Sequence, residues 1–218
     1  MPKNPKTTAT TEEYLEIIYM MSAEHKTVKG ARLAESLRVS RPTVTATLRR
    51  MARDGLVKFN AKKDVELTPK GFKVADELQR RHRIVERWLT DVLGFDWANS
   101  DAEAHRLEHA FSDEVVERLN ELLGRPATCP HGNPIPGNGA AKSPTSMFPL
   151  SQAKSGDQLQ VTRISEYAEN TVEMLRHLGE RGLRPGTNVK IWRARFHDRP
   201  YKHPCSVLVF KPEYHSVF

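Results

Sequence analysis

The sequence has little cysteine and no long apolar run. Among 218 residues there are two cysteines, Cys129 and Cys205. That is too few for a disulfide framework and points to a reducing, cytoplasmic setting. Mean hydropathy is −0.59, and no stretch of about 18 apolar residues occurs, so no membrane partner is expected. Residues 1–11 are polar and lack the apolar core of a secretory signal. A chain of this length buries roughly 70% of its unfolded surface and accommodates one to three domains. Charge, by contrast, is plentiful. Thirty-four Lys and Arg against twenty-seven Asp and Glu leave +7, which permits a polyanionic partner without requiring one.

The distribution of that charge is more telling than its total. Residues 25–63 hold eleven basic side chains against only Glu35 and Asp54, a surplus of +9, so everything else sums to −2. Within this segment the pattern is specific. Thr10-Thr11 followed by Glu12 and Glu13 reads as a helix start with acids suiting the dipole, and Tyr14, Leu15, Ile17, Ile18 and Met21 repeat at helical spacing. A short second helix spans 28–37. Ser40 caps a third, with Arg41 and Pro42 in its first turn and Val44, Leu48 and Met51 as its apolar stripe. Gly55 ends it, and residues 56–68 read as a hairpin with a basic tip.

Helix, short helix, turn, basic helix and basic hairpin make a winged helix-turn-helix, the partner of which is double-stranded DNA. The third helix suits the major groove, its N-terminal residues nearest the base edges. Ser40, Arg41, Pro42, Thr43 and Ala46 are therefore the base-reading set; Arg49 and Arg50 suit phosphate, as do Lys58, Lys62 and Lys63 on the wing. Lys29, at the start of the second helix, joins the DNA-facing set. The bland alternative is a basic three-helix domain that binds protein.

Beyond Thr68-Pro69-Lys70-Gly71 a long amphipathic helix runs to about Leu93, Gly94 breaks it, and residues 101–110 and 112–123 read as two more helices. Two recognition helices must sit about one DNA turn apart to read a two-fold, palindromic operator, so this region is read as the dimer-forming part of a homodimer. Six of the fourteen prolines and four of the twelve glycines fall within 124–149, marking a linker. Strand-like segments at 157–164, 188–196 and 206–210, with a helix at 170–180, suggest a small β-barrel. The fold class is thus mainly α with small β. Its expected domains are 1–71 (winged helix), 72–127 (helical dimerisation and metal binding), 128–149 (linker) and 150–218 (barrel).

Three helices carry metal-ligand residue types at helical spacing: Glu13 and Glu16, then His82 and Glu86, then His105, Glu108 and His109. Residues 101–121 hold seven acids against Arg106 and Arg118, a repulsion that a cation relieves. Two other readings stand beside this one. The first is an acidic solvated face with incidental histidines. The second is an enzyme, because His105-Arg-Leu-Glu108-His109 matches the inverted zinc-peptidase pattern H-x-x-E-H. A peptidase, however, needs a distant third ligand and a cleft, and has no use for a basic winged helix; no catalytic residue is assigned.

Together these blocks resemble the diphtheria-toxin-repressor family of metal-dependent transcriptional regulators, including its manganese-regulator branch. The resemblance runs through Thr10-Thr11-Glu-Glu-Tyr14-Leu15, Arg41-Pro42-Thr43-Val44, Arg53-Asp54-Gly55-Leu56-Val57, Thr68-Pro69-Lys70-Gly71 and His82-Arg83. It continues through Glu103-Ala-His105-Arg-Leu-Glu108-His109, Ser112-Asp113-Glu114-Val115 and Cys129-Pro-His131-Gly-Asn-Pro-Ile-Pro136. Each block is weak alone; their order and spacing are specific.

The resemblance implies an SH3-like, FeoA-type barrel at the C-terminus and two metal sites. One would use Glu13, His82, His105, Glu108 and His109, with Glu16. The other would draw on Glu86, Cys129 and His131, with Glu166 and Glu169 from the barrel. Glu13 stands where iron-responsive members have methionine and His105 where they have cysteine, while Asp101 replaces a histidine of theirs. Carboxylates and imidazoles without sulfur suit Mn2+ first and Fe2+ second, with Zn2+ or Co2+ binding in vitro. The implied function is a metal-activated dimer that represses metal-uptake genes. A metal-independent winged-helix regulator gated by a small organic ligand is the other reading.

Overall fold

The computed structural model describes residues 7–24, 26–139, 147–165, 171–192 and 207–210. The chain divides into two compact units, Met1–Arg80 and Arg81–Phe218.

The first unit is a winged helix. Helix α1 spans Ala9–Ala23 and is capped by the Thr8 side chain, which accepts from the Thr11 N–H, two residues ahead of the cap that the sequence suggested. Helices α2 (Gly30–Ser36) and α3 (Arg41–Arg53) follow, then an antiparallel hairpin of β1 (Val57–Phe59) and β2 (Val65–Leu67). The Ser40 hydroxyl accepts from the Thr43 N–H and caps α3, a contact worth about 1 kcal/mol. Gly55 lies past the end of α3 at φ +71°, the left-handed turn that only glycine adopts without strain. Leu15, Ile18, Met21, Leu33 and Met51 are fully buried; α1 packs on α2 and β2, and α3 on α2 and β1.

Helix α4 spans Pro69–Asp91. Its start explains the Thr-Pro-Lys-Gly block. The Thr68 hydroxyl donates to the Gly55 carbonyl at 2.6 Å and accepts from the Gly71 N–H at 3.0 Å. Lys70 Nζ donates to the Asp54 carbonyl at 2.8 Å. A Cβ on Gly71 would lie 1.9 Å from the Leu56 carbonyl oxygen. No side chain fits there.

The second unit joins helices to a small sheet. Helices α5 (Ser100–Leu107) and α6 (Asp113–Leu122) precede the loop region, and the sheet has the order β3-β6-β4-β5, all antiparallel. Its strands are β3 (Phe148–Pro149), β4 (Gln158–Ile164), β5 (Asn188–Lys190) and β6 (Val207–Phe210), with α7 at Thr171–Glu180. Strand β3 lies within the segment expected to be a linker, and α5 stops at Leu107, short of the expected end at 110. Glu108 is the C-cap of α5 rather than a mid-helix residue, and His109 and Ala110 lie in a turn. The reason is Ser112, whose side chain caps α6 with an extended backbone, so the chain must leave helical geometry before it.

Candidate metal centre and nucleic-acid interface

All eleven side chains assigned to DNA are exposed: Lys29, Ser40, Arg41, Pro42, Thr43, Ala46, Arg49, Arg50, Lys58, Lys62 and Lys63. Val44, Thr47, Leu48 and Met51 occupy the opposite, buried side of α3. Thr47 was absent from the predicted stripe, although its spacing from Val44 and Met51 allows it. At the wing tip, Asn60 Oδ1 accepts the Lys62 and Asp64 N–H groups at 2.9 and 3.0 Å. This Asn-anchored turn leaves Lys62 and Lys63 exposed, Lys63 at φ +62°. Lys58 differs, because it pairs across the hairpin with Glu66 at 3.2 Å. An exposed pair of that kind contributes little stability but offsets the charge Lys58 can offer a phosphate.

The metal-ligand residue types converge within the second unit, on one side of α4. His82 is sandwiched between two carboxylates: Nδ1 lies 2.7 Å from Glu108 Oε2, and Nε2 lies 3.3 Å from Asp101 Oδ1. Glu108 is fully buried and also meets His105 Nδ1 at 3.2 Å and His109 Nε2 at 3.3 Å through Oε1. One carboxylate thus touches three imidazoles. Burial, the largest single influence on Glu108, pushes its carboxyl up, but hydrogen bonds from His105 and His82 outweigh it and bring it down to about 2. For His82 burial also acts first, downward, and the hydrogen bonds to Asp101 and Glu108 hold it well above its ordinary 6.5. Without metal His82 is therefore an imidazolium, and a metal taking its nitrogen must displace a proton.

Donor atoms of His82, His105 and Glu108 all fall within 4.8 Å of one another, as do those of His82, Glu86 and Asp101. His109 belongs to neither of these groups. Asp101 is the donor that the sequence reading did not assign to a site. Its spacing to His105 (four residues) and Glu108 (seven) is the signal that places it on the same face.

A second cluster, Glu86, Cys129 and His131, meets the same 4.8 Å limit and is buried throughout. His131 Nδ1 lies 2.5 Å from Glu86 Oε1, and Glu86 Oε2 is buried with no hydrogen-bond partner among the described residues. A buried carboxylate oxygen left without a donor is costly unless a cation satisfies it. Oxygen, imidazole nitrogen and thiol sulfur form a set that suits a borderline divalent cation. The loop bearing Cys129 and His131 is clamped by α4: Arg83 Nη1 donates to the Pro134 carbonyl at 2.6 Å, and Arg87 Nε to the Thr128 carbonyl at 2.9 Å. Gly132 at φ +84° passes so close to β4 that a Cβ would sit 2.2 Å from the Thr162 carbonyl oxygen. A register shift in β4 falls between Val161 and Arg163, the position of that carbonyl.

Glu13 and Glu16 belong to the first unit, where Glu13 is exposed and Glu16 is buried on α1. Glu166 and Glu169 lie outside the described residues, as do Cys205 and the histidines at 197, 203 and 215.

A winged helix, helices with clustered carboxylates and imidazoles, and a small antiparallel sheet together define the class of metal-dependent transcriptional regulators. Residues 6–65 match the iron dependent repressor N-terminal DNA binding domain, 68–137 the iron dependent repressor metal binding and dimerisation domain, and 148–209 the FeoA domain. The chain is 37% identical over 191 residues to the iron-dependent repressor IdeR of Mycobacterium leprae, covering 84% of this chain and 83% of that protein. It is 39% identical over 189 residues to the diphtheria toxin repressor of Corynebacterium glutamicum, with coverage of 84% and 83%. Among solved structures, T. acidophilum IdeR superposes with a TM-score of 0.74 at 26% identity, covering 96% of this chain and 100% of that one. A manganese-dependent transcriptional repressor in complex with manganese gives 0.73 at 32% identity, with coverage of 85% and 84%. The chain belongs to the iron-dependent, or diphtheria-toxin, repressor family.

Proposed function

We propose that this protein is a metal-activated transcriptional repressor that binds a palindromic operator as a homodimer, with Mn2+ as the activating metal and Fe2+ as the alternative. The observation that carries this reading is Glu108, a fully buried carboxylate in contact with the imidazoles of His82, His105 and His109. That set has no sulfur, and hard or intermediate cations of the Mn2+ and Fe2+ type suit it. Zn2+ or Co2+ also binds such donors in vitro. Similarity to both iron-named and manganese-named repressors supports either metal.

The first centre is His82, His105, Glu108 and His109 with Glu13 and Glu16 of α1. The second is Glu86, Cys129 and His131 with Glu166 and Glu169. When bound, the cation supplies positive charge that neutralises these carboxylates. Through Glu13 and Glu16 of α1, the family resemblance links metal binding to the domain that carries the recognition helix. Ser40, Arg41, Pro42, Thr43 and Ala46 then read bases, while Arg49, Arg50, Lys62 and Lys63 hold phosphates. Val92, Leu93 and Phe95 are exposed apolar side chains after α4, and they suit contact with a second copy. No helix of the described residues is long and apolar enough to cross a membrane; a cytoplasmic location follows from the regulatory role.

Coupling of about 1–3 kcal/mol per binding event corresponds to a tens- to hundredfold gain in operator affinity. Fluorescence anisotropy on operator DNA, with Mn2+ or anaerobic Fe2+ titrated in, is expected to give that gain. It should vanish in a Glu108→Ala, His109→Ala double variant. Operator binding that ignores metal, or survives that double variant intact, sinks the reading and favours a regulator gated by an organic ligand. Hydrolysis of a peptide panel only with Zn2+ would instead favour the peptidase.

A further inference from the structure

We propose that Trp97 is the positioning residue of the second metal centre and couples that centre to the packing of the C-terminal sheet, an inference that rests on the reading of Glu86, Cys129 and His131 as ligands. Three contacts join Trp97 to the ligand loop. Its carbonyl lies 3.1 Å from His131 Nε2. Its indole Nε1–H donates to the Pro130 carbonyl at 3.1 Å. Its ring lies 4.7 Å from the imidazole, centroid to centroid.

A backbone carbonyl can only accept, so Nε2 carries a proton, which leaves Nδ1, the nitrogen facing Glu86, as the one that would ligate a metal. This is the arrangement that fixes tautomer and ring orientation in metal-binding histidines, where an outer partner typically contributes 10–100-fold in metal affinity. Trp97 is not otherwise part of the loop. Its indole is buried with Leu159, Val161, Leu175 and Leu178 in the core under the sheet. The Arg184 guanidinium lies 5.0 Å from the ring centroid, and Gly179 lies against the ring closely enough that a Cβ there would be in van der Waals contact with it at 3.4 Å. The loop is also bonded to β4 directly: the Ile164 N–H donates to the His131 carbonyl at 2.8 Å, and Asn133 Nδ2 to the Ile164 carbonyl at 2.8 Å. Holding His131 on a metal therefore holds Trp97 in the core, and a packed core presents His131 correctly.

The test is a Co2+ titration of the full chain, read by the thiolate-to-cobalt charge-transfer band that Cys129 produces on ligation. Trp97→Ala keeps the backbone carbonyl but removes the ring and the indole N–H that fix it against the ligand loop. It is expected to weaken the Co2+ that gives this band by about 10-fold. Trp97→Phe keeps a ring against the imidazole and loses only the indole N–H bond to Pro130, and should restore affinity to within about threefold of the parent chain. Bandless Co2+ binding at the first centre, read in the Cys129→Ser chain, should not change when Trp97→Ala is added. An unchanged band titration in Trp97→Ala overturns the positioning role. Because that variant can loosen the core, hydrogen exchange at β4 supplies a second readout on the parent chain. Co2+ at a hundred times its Kd is expected to slow exchange of the Ile164 amide by up to about 100-fold, and not in Cys129→Ser. Equal exchange with and without Co2+ overturns the coupling. A parent chain that takes up Co2+ with no thiolate band refutes the second centre itself, and the proposal with it.

Discussion

Around Glu108 the imidazoles of His105 and His109 keep 51% and 38% of their side-chain surface in solvent, whereas His131 and Glu86 of the other cluster keep 2% and 0%. The open cluster sits at the frayed end of α5, where the helix stops at Leu107 and His109 lies in a turn. The closed one is built on a loop tied at both ends to α4 and along its length to β4. Structural metal sites are closed by protein donors, whereas open ones leave a position to water or another ligand. Burial thus divides two similar donor sets into an open one, which suits the sensing role proposed above, and a closed one, which would suit a structural ion.

The strongest way to break this division is Glu108→Ala. It removes the carboxylate shared by three imidazoles and should lower Mn2+ affinity of the open centre by more than about 100-fold, beyond the range of outer-shell changes. Isothermal titration on the metal-free chain reads it; a loss of under tenfold would mean that Glu108 is not the centre of the site. Cys129→Ser comes next. It should weaken Zn2+ or Co2+ at the closed centre by tens of fold while leaving the Mn2+ response of operator binding within about threefold. A variant that loses Mn2+-dependent DNA binding outright would erase the distinction between the two centres.

A smaller effect is expected from pH, and its sign follows from the shifted groups. His82 is raised above 6.5, so its ion pairs stabilise the metal-free chain fully below pH 6.5, and that contribution is lost as pH rises through the folded value. Glu108 is lowered from 4.5 to about 2, so its contribution is present above pH 4.5 and lost as pH falls towards 2. Thermal unfolding of the metal-free chain should therefore show greatest support from this cluster between about pH 4.5 and 6.5. Metal affinity of the open centre should rise with pH above 6.5, because the cation displaces the His82 proton. A flat affinity between pH 6 and 8 would contradict the imidazolium assignment. The smallest effect lies outside both clusters. A Lys62→Ala, Lys63→Ala double variant should reduce the salt slope of operator binding by at most about 2, since each lysine neutralises at most one phosphate, without altering which metal activates.

Much of this was legible in the residues. Helix α3, its Ser40 cap, the Gly55 stop and the basic hairpin are local, and each follows from periodicity and turn chemistry within a dozen positions. The donor residues on α4 and α5 were also visible, since residues three or four apart on a helix share a face. What escaped was non-local. Asp101 gains its role only because α5 lies against His82. Strand β3 is two residues long, contains Pro149, and exists through pairing with β6 some sixty residues on. His109 left its expected helix because the cap of the next helix, Ser112, competes for the same few residues.

The amino-acid sequence by itself determined that a +9 winged helix precedes a histidine- and carboxylate-bearing helical region and a small sheet, because charge, apolar period and caps act over short spans. Only the tertiary structure decided which donors are wet and which are dry. It set Glu108 at the meeting point of three imidazoles and hung His131 from Trp97. Burial belongs to no residue alone; it arises when distant segments exclude water together, and that exclusion is what separates the two centres.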